Sequence, residues 1–393
     1  MKTICDNIQI SWTRSSAVER CIHIANVGGS NPPESTSVIK INSMTILFFA
    51  RLFYPHIGGV EKHVCKISKE FLKKNYKVIV VTERYQQNLK EKENYEGIEI
   101  YRIPVSENEF FKKFEIWFWM IRNIKLIKTA DIVHCHDVFF WFFPFRFLFL
   151  RKKVYTTFHG YEGNNIPTKK AILMHKVAEK LSMGNICVGD FLKKWYGTKP
   201  SYVIYGGTEI NTINNYVKTK YKSNITKFVF IGRLEEETGI LVYLEALKIL
   251  KEKKVNFSLV ILGDGSLKKK AEDFCKLNNL KVEFRGFVKG INSFIAKSDF
   301  VFTSRYLGIL ESFAFKKLVF AVYNNEIKKD YLEISPFAED ISISGNYKKL
   351  FNQIMYYLSH NIEKNIKIDR GYTWINLHTW KEITNIYLRL WKI

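Results

Sequence analysis

Two periodicities alternate along most of this chain. Short runs rich in β-branched and aromatic residues give way to longer stretches in which apolar residues recur every three to four positions. The first pattern predicts buried strands and the second amphipathic helices. From Met44 onward the predicted strands are Thr45–Ala50, Lys77–Thr82, Ile98–Ile103, Asp131–Cys135, Val154–Phe158, Asn185–Gly189 and Tyr202–Tyr205. The helix after the first strand runs from about Gly59 to Lys74 and sets Val60, Val64, Ile67, Phe71 and Leu72 on one face. The pattern then restarts, with a strand at Lys227–Gly232, a helix at Gly239–Lys253, and strands at Phe257–Leu262, Lys281–Phe284, Phe300–Thr303 and Leu318–Val322. Between the two series the polar stretch Asn211–Thr226 reads as a linker. The closing stretch Asn376–Ile393 spaces Trp380, Ile383, Tyr387 and Trp391 like one helical face. Alternation of this kind predicts an α/β protein of two Rossmann-like doubly wound domains facing a central cleft, residues 44–210 and 227–375, followed by a last helix over 376–393. Ligands of such sheets bind at the carboxyl ends of the strands.

Residues 1–43 stand outside the pattern, with neither the apolar core of a signal peptide nor any periodicity. Arg14–Arg20, RSSAVER, back-translates to CGT AGC TCA GCG GTA GAG CGC, which resembles the D arm of a tRNA gene. Within Gly28–Pro33, GGSNPP, the codons GGT TCG AAT CC resemble the TψC arm, at a separation that fits one tRNA. The stretch is read as a non-native extension, translated tRNA-like sequence ahead of a natural start at Met44. A genuine disordered extension is the alternative.

Composition narrows the class. Of 393 residues 47% are hydrophobic and 25% charged, as in soluble globular proteins long enough for two cores. The formal net charge of +23 favours anionic partners such as nucleotide sugars or phospholipid head groups, unless it reflects a lysine-rich genomic composition. No recognition motif for nucleic acid accompanies it, so none is expected as partner. The six cysteines form no C-x-x-C pair and read as reduced thiols of a cytoplasmic protein. No apolar run reaches the roughly eighteen residues of a membrane span. The nearest, Val138–Leu150, is interrupted by Pro144 and Arg146 and reads as a buried segment, with a membrane-dipping surface as the alternative. A contact with the inner face of a membrane is the matching expectation for the charge and for the aromatic run Phe139–Phe149.

Five motifs carry candidate chemistry, each with a plainer reading beside it. Gly58-Gly59-Val60-Glu61 opens the first helix, where bare backbone amides can meet a ligand, or where a strand simply turns into a helix. Phe158-His159-Gly160-Tyr161 ends a strand, and His159 can hydrogen-bond a sugar or be structural. Gly232-Arg233-Leu234 ends the first strand of the second series; the arginine can hold a diphosphate or pair with Glu235 or Glu236. Gly263-Asp264-Gly265 and Gly286-Phe287-Val288 are loops on the same edge, or ordinary turns. In Ser304–Val319, Gly308-Ile309-Leu310-Glu311 places a carboxylate near the start of an apolar helix, able to accept two ribose hydroxyls or to favour the helix dipole. His134, His136 and Asp137 form H-x-H-D, but two imidazoles on one strand lack a third ligand, and no D-x-D pair is present. No metal is expected.

Taken in this order, on these strand ends, the motifs resemble family 4 glycosyltransferases of the GT-B fold, the glycosyl transferases group 1 type. The resemblance covers essentially all of Met44–Ile393, and the stretches ADIVHCHD and SDFVFTSRYLGILESFAF look like the family's signatures. It implies a second half that binds the nucleotide sugar, with Arg233 on the diphosphate, Glu311 on the ribose and the backbone near Gly286–Val288 at the base. It implies an acceptor-side first half with Gly59 and His159 facing the transferred sugar, and a last helix crossing back to that half. It further implies retention of anomeric configuration without a metal or cofactor, the donor's phosphate helping to deprotonate a glycan or lipid-linked acceptor. Two positions depart from the family pattern. Thr238 stands where a lysine supplies a second cation to the diphosphate, and Thr303 stands where the first of two glutamates contacts the donor sugar. Arg305 is the candidate substitute cation, although a surface role is the plainer reading. The departures keep open a catalytically degenerate module that binds a glycan or partner enzyme, and a sugar-nucleotide epimerase is a further, weaker alternative.

Overall fold

The computed structural model describes residues 44–160, 166–210, 224–288 and 290–393. The expectations for residues 1–43, and for all but the last three residues of the linker, lie outside it. The first series of strands is β1 (Thr45–Ala50), β2 (Lys77–Glu83), β3 (Lys92–Tyr95), β4 (Ile98–Ile103), β5 (Ile132–His136), β6 (Lys153–Phe158), β7 (Asn185–Val188) and β8 (Tyr202–Ile204). They form one sheet in the order β3-β4-β2-β1-β5-β6-β7-β8. The second series is β9 (Thr226–Ile231), β10 (Phe257–Leu262), β11 (Val282–Phe284), β12 (Phe300–Phe302), β13 (Leu318–Val322) and β14 (Ser342–Ser344), in the order β11-β10-β9-β12-β13-β14. Apart from the β3–β4 hairpin, every strand pair is parallel.

Parallel sheets with helices on both faces need strands that are apolar on both faces. In β1 every residue from Ile46 to Ala50 is at most 1% exposed. In β9 the two faces serve two cores: Phe228 and Phe230 pack with Tyr243, Leu247 and Phe302, while Val229 joins a core continuous with the first half. In both sheets the chain crosses from one side of its first strand to the other. The crevices so made lie at the carboxyl ends of β1 and β5 and of β9 and β12, the positions at which such folds take ligands. Tyr205 meets Tyr306 with ring centroids 5.2 Å apart, and Asp330 accepts from Trp195 Nε1 at 2.8 Å and pairs with Lys194 at 2.6 Å; these contacts join the halves.

The last helix, Trp380–Trp391, lies against the first half although it follows the second in sequence. Trp391 stacks on Phe71 at 4.9 Å and its indole N–H donates to His134 Nδ1 at 3.1 Å, and Tyr387 shares hydrogen bonds with His63 and Thr157. The preceding helix, Asn361–Asn376, stays with the second half, where Gly371 admits the Phe313 ring to within 2.7 Å of the place a Cβ would take.

Several readings of the chain need correction. Two edge strands, β3 and β14, are missed; both are short and polar, and only pairing with a neighbour makes them strands. The predicted run Asn376–Ile393 becomes a helix only from Trp380, with Thr379 accepting from the Glu382 amide as its cap. Val138–Leu150 is a helix, Phe139–Leu148, buried through Phe139, Trp141, Phe142 and Phe145 on one face only; Phe147, Leu148 and Leu150 are exposed.

Candidate active site

The site is built on the strand ends named above. After β1 the chain loops to Gly58, which caps the Gly59–Lys73 helix. A Cβ at Gly58 would collide with the Glu61 carboxylate, which lies 2.9 Å from His56 Nδ1. At Gly59 a Cβ would meet nothing within 4 Å, so open space lies over the first turn of the helix. That is the approach an oxygen-rich ligand needs to reach helix amides.

His159, one residue beyond β6 and half-buried, sits on the edge of a cluster of buried imidazoles, His63, His134 and His136. Its Nε2 lies 2.9 Å from His136 Nδ1, and its backbone N–H donates to Asp137 at 2.8 Å. His63 meets the His159 ring edge-on at 4.8 Å, and His134 stacks on His136 at 5.0 Å. Burial, reinforced by the neighbouring imidazoles, holds His134, His136 and His159 well below the usual histidine range, and burial alone takes His63 down to about 3. All four are neutral near pH 7. The H-x-H-D motif is therefore hydrogen-bonded structure: His134 spends its nitrogens on Thr157 at 2.7 Å and Trp391 at 3.1 Å. Tyr161 lies outside the described residues.

Across the cleft, Arg233 and Arg305 leave the carboxyl ends of β9 and β12, the two strands that flank the second switch point. Their guanidinium groups converge on one oxygen, Glu237 Oε1, at 2.7 and 3.1 Å. Arg233 pairs with neither Glu235 nor Glu236. Thr238 is turned away from this group and is 2% exposed. Its hydroxyl sits 2.6 Å from the Arg233 carbonyl and 2.7 Å from the Glu235 carbonyl, to either of which it donates, and it accepts the Glu235 N–H at 3.4 Å. Thr238 thus braces the turn that presents Arg233. Beneath Arg305 lies Lys328, which sequence reasoning missed. Its ammonium group is buried, donates to the Ser304 carbonyl and stands 4.0 Å from the Tyr331 ring centroid. Burial first, and the Arg305 charge second, push its pKa well below the usual lysine value.

Glu311 sits in the second turn of the Tyr306–Ala314 helix rather than at its start, and its half-shielded carboxylate is paired with Lys62 of the first half. That cross-cleft partner, 249 residues away in sequence, leaves no local signal. Other predicted donor residues are held by packing. A Cβ at Gly263 would lie 1.8 Å from the Gly232 carbonyl, one at Gly265 would lie 2.5 Å from the Leu234 carbonyl, and one at Gly308 would lie 2.5 Å from the Thr303 hydroxyl. The side chains of Ile309 and Leu310 are in the core, so only their backbone can face a ligand. Gly286 has open space around its missing Cβ and adopts φ +62°, and Phe287 beside it is exposed, with Val288 half-buried. A hollow of about 680 Å³, lined by Lys128, Arg151, Lys152 and Lys153 among others, is at the amino ends of β1, β5 and β6, away from these residues.

Each half of the chain resembles known glycosyltransferases. Residues 57–211 match the profile of Glycosyltransferase Family 4, and residues 225–330 that of Glycosyl transferases group 1. An uncharacterized glycosyltransferase of Methanocaldococcus jannaschii is 25% identical over 269 residues, 64% of this chain and 69% of that one. A phosphatidylinositol N-acetylglucosaminyltransferase of Arabidopsis thaliana is 24% identical over 262 residues, 62% of this chain and 58% of its own length. The crystal structure of a glycosyltransferase from Rickettsia africae superposes with a TM-score of 0.67 at 20% identity, over 89% of this chain and 98% of that one. With a profile of the same enzyme class on each half and two Rossmann-like sheets meeting at a cleft, the chain belongs to the family 4, group 1 type of glycosyltransferase, an enzyme of the GT-B fold.

Proposed function

We propose that this enzyme is a retaining transferase that moves a sugar from a nucleotide-sugar donor to a glycan or lipid-linked acceptor, in surface polysaccharide or glycolipid synthesis. The second half takes the donor and the first half the acceptor. The observation that carries the reading is the convergence of Arg233 and Arg305 on a single carboxylate oxygen at the switch point of the second sheet. Two guanidinium forks around one anionic oxygen form a site in which a diphosphate can take the place of Glu237. Arg305 is then the second cation that Thr238 does not supply, and charge growing on the leaving diphosphate is met by protein groups without a metal.

The remaining groups have roles of position. Glu311 accepts the ribose hydroxyls once Lys62 releases it. The His136 Nε2 atom is buried without a partner, which costs less as a bare acceptor than as an orphaned N–H. The proton of neutral His136 is therefore assigned to Nδ1 and donated to His159 Nε2. That leaves His159 with its own proton on Nδ1, free to hydrogen-bond a hydroxyl of the transferred sugar. Gly59 and the backbone at Gly286–Val288, with open space around both glycines, face the donor, and the Gly286 carbonyl is held by the Gly263 amide at 2.8 Å. The deciding experiment is donor hydrolysis across a panel of nucleotide sugars, read as released nucleoside diphosphate. Release from a subset of donors supports the reading, and binding of nucleotide with no turnover on any donor, with or without acceptors, overturns it.

A further inference from the structure

One surface of the first half is built unlike that of a water-facing helix. The Glu109–Arg122 helix, EFFKKFEIWFWMIR, buries Ile116 and Met120, yet its opposite face is apolar as well. Phe110, Phe114, Phe118 and Ile121, spaced along one stripe, are 65, 48, 55 and 58% exposed, and Phe111 beside them is 55% exposed. A globular helix normally presents polar residues there. The rings continue onto the neighbouring helix: Phe114 meets Trp117 at 5.7 Å, Trp117 meets Phe140 at 5.1 Å, Phe140 meets Phe143 at 6.1 Å, and Phe143 meets the exposed Phe147 at 5.4 Å. The result is a continuous aromatic band across two helices. It differs from the expectation for Phe139–Phe149, where Phe139, Trp141, Phe142 and Phe145 are turned inward and Phe147 is the one exposed ring.

Basic groups outnumber acidic ones around this band. Lys113 Nζ stands 5.0 and 4.9 Å from the ring centroids of Phe110 and Phe114, and the Arg122 guanidinium stands 4.3 Å from that of Phe118. Lys125, Lys128, Arg151 and Lys153 are exposed beyond them. Of the acidic residues nearby, Glu115 is turned to the Ser106 amide, and Glu107 and Glu109 lie at the amino end of the helix. Cations seated on aromatic rings can stretch to a phosphate layer while the rings sink beneath it. A second copy of the chain would set the same cations against themselves, so charge complementarity selects an anionic partner.

We propose that this band docks the enzyme on an anionic lipid bilayer. The placement has a consequence for access. The Glu109–Arg122 helix follows β4 and the Phe139–Leu148 helix follows β5, so both begin at the carboxyl ends of the strands, on the rim of the cleft. Docking along the whole band lays this flank of the first half on the membrane with the Phe110–Phe111 end at the rim of the cleft, where, on the proposed reading of the first half as the acceptor side, the sugar-accepting head of a lipid can enter without leaving the bilayer.

The test is flotation of the full chain with phosphatidylcholine vesicles, with and without phosphatidylserine, alongside its mass in solution. Binding is expected only to the anionic vesicles and should weaken as salt rises. The Phe110→Ser/Phe114→Ser/Phe118→Ser variant should lose at least roughly tenfold in partition, since burial of aromatic area drives interfacial binding. The Lys113→Gln/Arg122→Gln variant, which keeps every ring, should lose several-fold and become less salt-sensitive; it also decides the matter if the triple variant fails to fold. Wild-type chain that ignores anionic vesicles at low salt overturns the proposal. So does equal vesicle binding by wild type and both variants. A wild-type dimer that the triple variant converts to monomer, without vesicle binding by either, would assign the band to a second copy instead.

Discussion

Replacing Arg305 by alanine should cost the enzyme more than replacing Arg233. Both guanidinium groups reach the same Glu237 oxygen, but the Arg305 side chain is 36% exposed against 59% for Arg233. Water screens the second charge more, so its attraction for a diphosphate is worth less. A charge-assisted hydrogen bond to an ionised partner contributes about 1.5–3 kcal/mol, and partial exposure of Arg305 takes this to ~2 kcal/mol. If that bond strengthens as the sugar–phosphate bond breaks, the loss appears in kcat and amounts to about thirtyfold. Thr238→Lys makes the opposite test. In a site short of one cation it should raise turnover. Here the hydroxyl braces the Arg233 and Glu235 carbonyls from a position 2% exposed to water. A lysine loses that bond and must be packed where there is no room, at ~2–4 kcal/mol of stability in all. The assay is release of nucleoside diphosphate under saturating donor, with thermal midpoint measured on the same samples. Higher turnover of Thr238→Lys at unchanged midpoint would refute the assignment of Arg305, as would an Arg305→Ala enzyme with wild-type kcat.

Further predictions concern the two halves of the site. Glu311→Ala should weaken nucleoside and nucleotide alike by about 1–3 kcal/mol in titration calorimetry, while Arg233→Ala should weaken only ligands that carry the diphosphate. Lys62→Ala removes the competitor of the ribose for Glu311 and should tighten nucleoside binding severalfold; weaker binding would show that Lys62 touches the ligand. The histidine cluster sets a pH dependence. Its folded pKa values lie below the unfolded value of about 6.5, so the unfolded chain binds more protons, and the stability they contribute is present above pH ~6.5 and lost as pH falls toward the folded values. The unfolding free energy from urea titrations between pH 7 and 5 should fall by up to about 1.4 kcal/mol per pH unit for each histidine, and a flat profile would contradict the neutral cluster. His136→Phe should keep the stacking, flatten part of that slope, and lower kcat for sugars that offer His159 a hydroxyl, with nucleoside affinity unchanged.

Much of this molecule is legible one residue after another. The bounds of β1, β4, β10 and β13 match the predicted runs because a strand covered on both faces must be apolar throughout, and such a run has distinct ends. The positions of the Gly-Gly turn after β1, of Arg233 after β9 and of the helix that carries Glu311 after β12 are legible for a related reason: each follows an apolar run, and strand ends are where a doubly wound fold receives ligands. What pairs with what is another matter. β3 and β14, KENY and SIS, become strands only because a neighbour supplies their hydrogen bonds. Thr238 looks like a missing cation in the sequence, and its inward hydroxyl shows it to be the brace of a turn. Glu237, which gathers two arginines, and Lys62, which holds Glu311, carry no motif at all. The same holds for Trp391 on His134, which depends on the last helix packing against the half it did not follow. Nor does apolar spacing reveal which face of the Glu109–Arg122 helix is buried, because both of its faces are apolar. Local pattern decides where an element can form, through the burial each residue requires. Which charges meet across a cleft, and which rings stay in water, depends on distances the chain sets only once both sheets are packed.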